Sequence, residues 1–227
     1  MTATGVPSAL VMAKAPQPGT VKTRLHPLLG PEGCAALQAE LIRHTLALTT
    51  GHGLRSHLAH APADARNALA ALVPANVELR PQRTGALGLR LAAAVEDVFA
   101  SGAGPLLVMG TDAPTLTAGH LTTALQALES RDVVLGPARD GGYYLIGMNR
   151  PQTGLFALEP DLWGGDRVFA ATRALAEDEG LTIAALPELR DLDTPEDAAA
   201  HLDAFSTGAD GEFPTRVAAM LRPAERP

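Results

Sequence analysis

Apolar residues arrive along this chain in two alternating rhythms: short unbroken runs, and longer stretches where they recur every three or four positions. Ala9–Ala13, Leu54–His60, Val77–Arg80, Pro105–Met109, Asp132–Leu135, Tyr143–Met148 and Thr182–Leu186 read as strands. Between them, Cys34, Leu37, Leu41 and Leu48 mark one face of a helix opened by Pro31 and running to about Thr50. Leu87, Leu91, Val95 and Val98 predict another, closed by Gly102. Further helices are expected over Asp64–Leu72, from a Thr117 cap to Leu128, over Val168–Glu179, and from Pro195 behind a Thr194 cap. Residues after about Phe205 carry Gly and Pro, so a single domain is drawn over 1–205 and a tail or one docked helix over 206–227. Strand alternating with helix through short loops predicts an α/β fold with a mostly parallel sheet covered on both faces.

Composition narrows the setting. A chain of 227 residues, 46% apolar, has room for one large domain with an ordinary core. No run approaches the roughly 20 apolar residues needed to span a bilayer. The first strand has no basic, apolar leader before it. The single Cys34 rules out an intramolecular disulfide and, on an apolar stripe, is expected to be packed rather than nucleophilic. A cytoplasmic protein is expected. The net charge of −7 argues against nucleic acid, which needs a basic face. An acidic protein can still hold a phosphate through local cations or through a metal on its carboxylates.

Local cations are present. Lys14 and Lys22 are the only lysines of the chain, and both lie in Lys14-Ala15-Pro16-Gln17-Pro18-Gly19-Thr20-Val21-Lys22-Thr23-Arg24. Elsewhere the cations are arginine or histidine, so the compact ammonium groups look chosen for phosphate oxygens. A buried strand, a Pro/Gly loop with three cations and then a helix is the layout of a nucleotide phosphate site.

Ligands of an open α/β sheet bind beyond the carboxyl ends of its strands. Four polar clusters are predicted there: the lysine loop, Thr111-Asp112, Arg139-Asp140-Gly141-Gly142, and Asp191/Asp193. One such cluster alone reads as a solvated loop; four on one edge read as a site. Asp112 at a strand tip can hold Mg²⁺ or Mn²⁺, or close an Asx-turn. Asp193 or Asp191 is the natural second ligand, unless it caps the Pro195 helix, where Glu196 and Asp197 suit the first turn. Gly141 and Gly142 permit close backbone approach to a ligand, or simply a hairpin turn. Alternation along the strand allows only one of Tyr143 and Tyr144 to line a pocket. His57 and His60 fall on opposite strand faces with no cysteine or carboxylate cluster, which disfavours a metal there. No Ser sits in a nucleophile elbow.

These motifs together resemble a known family. Lys-Ala-Pro-x-Pro-Gly-x-Val-Lys-Thr-Arg-Leu, Gly-x-Asp-x-Pro-x-Leu, Gly-Pro-Ala-x-Asp-Gly-Gly-Tyr-Tyr-Leu-x-Gly and Asp-x-Asp-Thr-Pro-Glu-Asp, spread over Leu10 to Leu202, look like the DUF2064 group of GT-A-type glycosyltransferase-like proteins. The resemblance implies a nucleotide-diphospho-sugar transferase fold, a Rossmann-like three-layer α/β/α sandwich. It implies nucleotide contacts from Ala13, Lys14, Gly19, Lys22, Arg24, Gln82, Gly141, Gly142 and Tyr143. Asp112 and Asp193 would hold Mg²⁺ or Mn²⁺, Lys22 would assist catalysis, and Asp140 would be the acceptor base. The chain departs from the pattern at Ala86, where an Asp is usual, at Gly164-Gly165-Asp166 after Trp163, and at Gly110, where glycosyltransferases carry the first Asp of Asp-x-Asp. The expected activity is metal-dependent transfer from a nucleotide sugar to a small-molecule acceptor, with nucleotidyl transfer by attack on the α-phosphorus as the alternative and a silent nucleotide sensor as a third reading. A homodimer is compatible with the sequence. The cationic segment and the acidic tips must then converge around one pyrophosphate-sized hollow.

Overall fold

In the computed structural model, which describes residues 5–207 and 212–222, seven strands form one sheet: β1 (Val6–Lys14), β2 (Arg55–Ala61), β3 (Glu78–Pro81), β4 (Ala103–Met109), β5 (Val133–Pro137), β6 (Tyr143–Met148) and β7 (Ile183–Ala185). Their order is β3-β2-β1-β4-β6-β5-β7. All neighbours are parallel except β6, which runs against both β4 and β5. The reason is local. Only the turn from Ala138 to Gly142 joins β5 to β6, far less chain than the dozen or more residues a parallel crossover needs.

Helices α1 (His26–Gly51), α2 (Arg66–Ala70), α3 (Leu87–Ala100), α4 (Ala118–Leu128), α5 (Val168–Asp178), α6 (Pro195–Thr207) and α7 (Glu212–Leu221) surround the sheet. Both sheet faces are covered, so strand residues of either parity are apolar. Ala9, Val11, Leu107 and Val134 pack on one side against Ile42 and Leu46 of α1 and Leu121 and Ala124 of α4. Leu10, Leu106, Val108 and Leu135 pack on the other against Leu91, Val95 and Val98 of α3 and Ala176 of α5. This is a three-layer α/β/α sandwich.

Two helices differ from expectation. The α1 segment begins at His26, but Gly30 breaks it with φ 66, so the helical body does start at Pro31. The helix expected over Asp64–Leu72 is a 3₁₀ turn at Ala63–Ala65 followed by one short α-turn, anchored by buried Leu69. Within the region expected as a tail or one docked helix, α7 buries Phe213, Val217 and Leu221 with Cys34, Leu37 and Leu41 of α1. The same cluster takes in Leu25 and Leu192, which flank the cationic and acidic loops. Phe213 stacks on His44 with centroids 3.4 Å apart, and Arg216 donates to Glu40 at 2.6 Å. Among the described residues, no helix is long and apolar enough to cross a membrane.

Candidate functional site

The cationic loop leaves β1 at Lys14 and reaches Lys22 in a left-handed conformation, φ 49 and ψ 39, the one positive-φ residue other than glycine among those described. From there the Lys22 side chain runs inward and is only 4% exposed. Its ammonium donates to the carboxylate of Asp112, to Oδ1 of Asp193 at 2.8 Å and to the main-chain carbonyl of Leu192 at 2.8 Å. Leu192 N in turn donates to Asp112 O at 2.7 Å, fastening the two acidic loops together. Burial by itself would push the ammonium's pKa down; the charges and hydrogen bonds of Asp112 and Asp193 outweigh it and hold the pKa above the ordinary lysine value. The predicted convergence of cation and acids is thus a direct contact.

Two more acids border it. Asp191 has a buried Oδ1 with no hydrogen-bond partner among the described residues. Burial, followed by the charges of Asp112, Asp140 and Asp193, pushes its carboxyl up to about 8, with Lys22 opposing. Asp140 accepts from Gly142 N at 2.9 Å through Oδ1, an Asx-turn that fixes its carboxylate beside the turn. Asp197 is spent on structure: it accepts from Thr194 N at 3.0 Å and Arg190 at 2.8 Å, while its own N–H donates to Thr194 Oγ1 at 3.1 Å. Thr194 therefore caps α6, which leaves Asp193 free to face Lys22.

A cleft of ≈ 580 Å³ lies over these groups. Its wall includes Ala13, Lys14, Lys22, Arg24, Gln82, Asp112, Asp140, Gly142, Tyr143 and Asp193. Lys14 and Arg24 are exposed and make no ion pair with a described residue, so they are the spare cations at the mouth. Two predicted contacts are not on this wall. Gly19 takes φ 80 within the loop, and Gly141, at φ 91, packs beneath Asp166, whose carbonyl oxygen would lie 2.0 Å from an added Cβ. The close approach that Gly141 permits here is made by the Asp166 backbone.

Both tyrosines line the cleft, where alternation allowed one. They do face opposite layers, Tyr143 with the α3 side and Tyr144 with the α4 side. The cleft opens beyond the strand ends and so reaches both. Tyr143 keeps its hydroxyl buried on the Thr172 side, so its ring is what meets the cleft. Tyr144 crosses Gly136, where an added Cβ would lie 2.4 Å from its ring, and donates to Pro187 O at 3.1 Å.

The remaining wall residues include some, such as Gln38, with no local signature. Gln38 of α1 donates to Lys14 O at 3.3 Å and Thr111 Oγ1 at 3.2 Å, tying the β1 and β4 tips. Gln82 donates to Ala59 O at 2.8 Å and accepts from Arg90 at 2.7 Å. Trp163 lies on Gly88, whose added Cβ would be 3.0 Å from the indole nitrogen. Met12, Leu87 and Leu91 complete this apolar end. Ala86 stands at the N-cap of α3 without a side-chain cap hydrogen bond, so the usual Asp at that position is not replaced by another acceptor. His57 meets Glu78 at 3.3 Å and His60 meets Pro62 O at 3.0 Å, and no group of three or more His, Cys, Asp or Glu that could hold a metal occurs among the described residues. The Asp112 and Asp193 oxygens with Leu192 O nonetheless form a hard-oxygen set converging on one cation, which suits Mg²⁺ or Mn²⁺ completed by phosphate and water.

Comparison with known proteins agrees with this fold. Residues 45–163 match the DUF2064 family, described as an uncharacterized protein conserved in bacteria. The chain is 32% identical over 193 residues to phosphoenolpyruvate guanylyltransferase of Sphaerobacter thermophilus, covering 78% of this chain and 84% of the relative. A Desulfovibrio desulfuricans protein assigned to the nucleotide-diphospho-sugar transferases superposes with a TM-score of 0.84 at 28% identity, over 97% of this chain and 94% of that one. A Mycobacterium tuberculosis protein solved as a complex with manganese shares the fold, with a TM-score of 0.52 at 17% identity over 86% and 97% of the two chains. The chain belongs to the DUF2064 family, has the nucleotide-diphospho-sugar transferase fold, and is a transferase.

Proposed function

We propose that this DUF2064 member transfers a nucleotidyl group from a nucleoside triphosphate, a guanine nucleotide by preference, to a small phosphorylated or carboxylate acceptor with the help of Mg²⁺ or Mn²⁺. The observation that carries the reading is the meeting of Lys22, Asp112 and Asp193 on the cleft floor with Lys14 and Arg24 spare at its mouth. The guanylyltransferase relative supports the choice of bond and base, and Gly110, in place of the first Asp of Asp-x-Asp, fits nucleotidyl transfer equally well.

In this reading the base enters the apolar end between Met12, Leu91 and Trp163, and the phosphates run toward the charged end. Asp112 and Asp193 hold the metal, which supplies charge stabilisation on the phosphate oxygens when bound. An acceptor oxyanion attacks the α-phosphorus, the α–β bridging bond breaks, and pyrophosphate leaves with the negative charge. Lys14 and Arg24 meet that charge as it develops; such groups typically contribute on the order of 2.7–4 kcal/mol of barrier. An acceptor that is already ionised has no proton to surrender, so Asp140 is left to position rather than to act as a base.

Glycosyl transfer is the second reading, favoured by the Desulfovibrio desulfuricans neighbour. There the acceptor is a hydroxyl and Asp140 would have to take its proton. A panel of triphosphates and nucleotide sugars, with phosphorylated and hydroxyl acceptors, separates the two: pyrophosphate release from a triphosphate is expected. Asp140→Asn should retain that release within about threefold, since a merely orienting carboxylate is worth little next to a base's 10²–10⁴-fold. Release of a nucleoside diphosphate from a sugar donor, abolished by Asp140→Asn, would establish the second reading instead.

A further inference from the structure

Lys22 sits where a metal ligand set would place its ion. The Asp112 carboxylate, Leu192 O and Asp193 Oδ1 surround one ammonium, and the protein offers it no fourth partner among the described residues. The two carboxylates bring two negative charges, and the ammonium cancels one. A dication in the same cradle would cancel both, but a dication together with the ammonium would set two cations a few ångströms apart.

We infer that Lys22 is a displaceable resident of this cradle: a divalent cation binds to Asp112, Asp193 and the Leu192 carbonyl by expelling the Lys22 ammonium, which then becomes free to meet phosphate. The inference rests on the metal-assisted reading above and adds to it the Leu192 carbonyl as a ligand and an exchange of cations. The loop is suited to the exchange. Lys22 holds a left-handed backbone that a non-glycine residue adopts at some cost, and its three polar contacts keep it there. The exchange also settles how one lysine can serve both acids and phosphate, roles that exclude each other in a single position.

The chain provides its own reporter, because Lys14 and Lys22 are its only lysines and Lys14 is exposed. Reductive methylation of the full chain, read by peptide mass spectrometry, gives the Lys22 rate relative to the Lys14 rate. Without metal, Lys22 should be protected, since its side chain is only 4% exposed and its ammonium is held between carboxylates away from the reagent. Saturating MnCl₂ alone should raise the relative Lys22 rate about tenfold or more, the equivalent of 1.4 kcal/mol or more. Unchanged protection with Mn²⁺ bound, as followed by its electron paramagnetic resonance signal, overturns the inference. In parallel, Lys22→Met should bind Mn²⁺ about tenfold tighter than the wild type, its competitor having been removed; equal or weaker binding also overturns it. Should Lys22→Met fail to fold, the wild-type labelling decides. Neither measurement uses turnover, so failure of the transferase reading would show separately, as absent pyrophosphate release with the cation exchange intact.

Discussion

The two ends of the cleft are built on opposite principles. At the apolar end, Gln82 is fixed by a strand carbonyl of β2 and presents its own oxygen to Arg90, beside Trp163, Leu87 and Leu91. Packing and two hydrogen bonds of Gln82, one of them from the Arg90 guanidinium, hold it, and no carboxylate competes for them. At the ionic end, one ammonium faces Asp112, Asp193 and the buried Asp191, and its position rests on charge balance. The first end is a mould; the second is poised to rearrange. Selectivity for the base should accordingly be a fixed property of the fold, while metal and phosphate binding should respond to pH, salt and each other.

The most severe test of this division is Asp112→Ala. It should lower kcat for pyrophosphate release by about 10²–10³-fold and abolish metal-dependent nucleotide binding, while guanosine still enters the apolar end; full metal dependence in the variant would remove Asp112 from the site. Next is the buttress. Phe213→Ala in α7 should cost about 3 kcal/mol of stability and loosen Mn²⁺ binding, because the same cluster holds Leu25 and Leu192 behind the ionic loops. Guanosine affinity should not move; an equal loss at both ends would show that the division is not real. A smaller effect is expected of Gln82→Ala, which releases Arg90. Guanosine should bind about tenfold more weakly with Mn²⁺ affinity unchanged, as isothermal titration would show.

The mildest effect is a pH slope in metal-free protein. Asp191 titrates near 8 when folded against an ordinary carboxyl when unfolded, so between roughly pH 4 and pH 8 the folded state keeps a proton that the unfolded chain has lost, and this group's contribution to stability falls as pH rises. Asp191→Asn, neutral throughout, should escape the penalty. Its thermal midpoint should gain on the wild type progressively from pH 5 to pH 8. A constant difference across that range would mean that Asp191 is ionised in the fold.

Much of this architecture is legible in the sequence because it is locally encoded. Each apolar run became a strand, and the Tyr143–Met148 boundaries coincide with β6. Lys22, Asp112 and Asp193 could be named in advance because each lies in the loop that follows such an element, on the edge where the fold class says ligands gather. What escaped depends on the order of strands in the sheet. Gln38 reaches Lys14 and Thr111 from a helix face whose visible pattern is apolar packing. Arg90 and Gln82 meet because α3 folds back against β1 and β4, and nothing in their eight-residue separation announces it. Gly141 shows another limit: a glycine declares that something comes close without saying what, and here the carbonyl of Asp166 comes close. Lys22 and Asp193 could be singled out one at a time, but their mutual contact spans 171 residues of sequence and is invisible to any local rule.

That separation has a consequence for the protein's birth. The ribosome delivers Lys22 early and Asp193 171 residues later, an interval of about ten to thirty seconds at typical elongation rates. Throughout it, the nascent chain carries the Lys22 ammonium without its Asp193 partner and a half-made cleft. The helix that clamps both loops from behind, α7 (Glu212–Leu221), emerges later still, so the ionic end of the cleft can close only after that helix has left the ribosome.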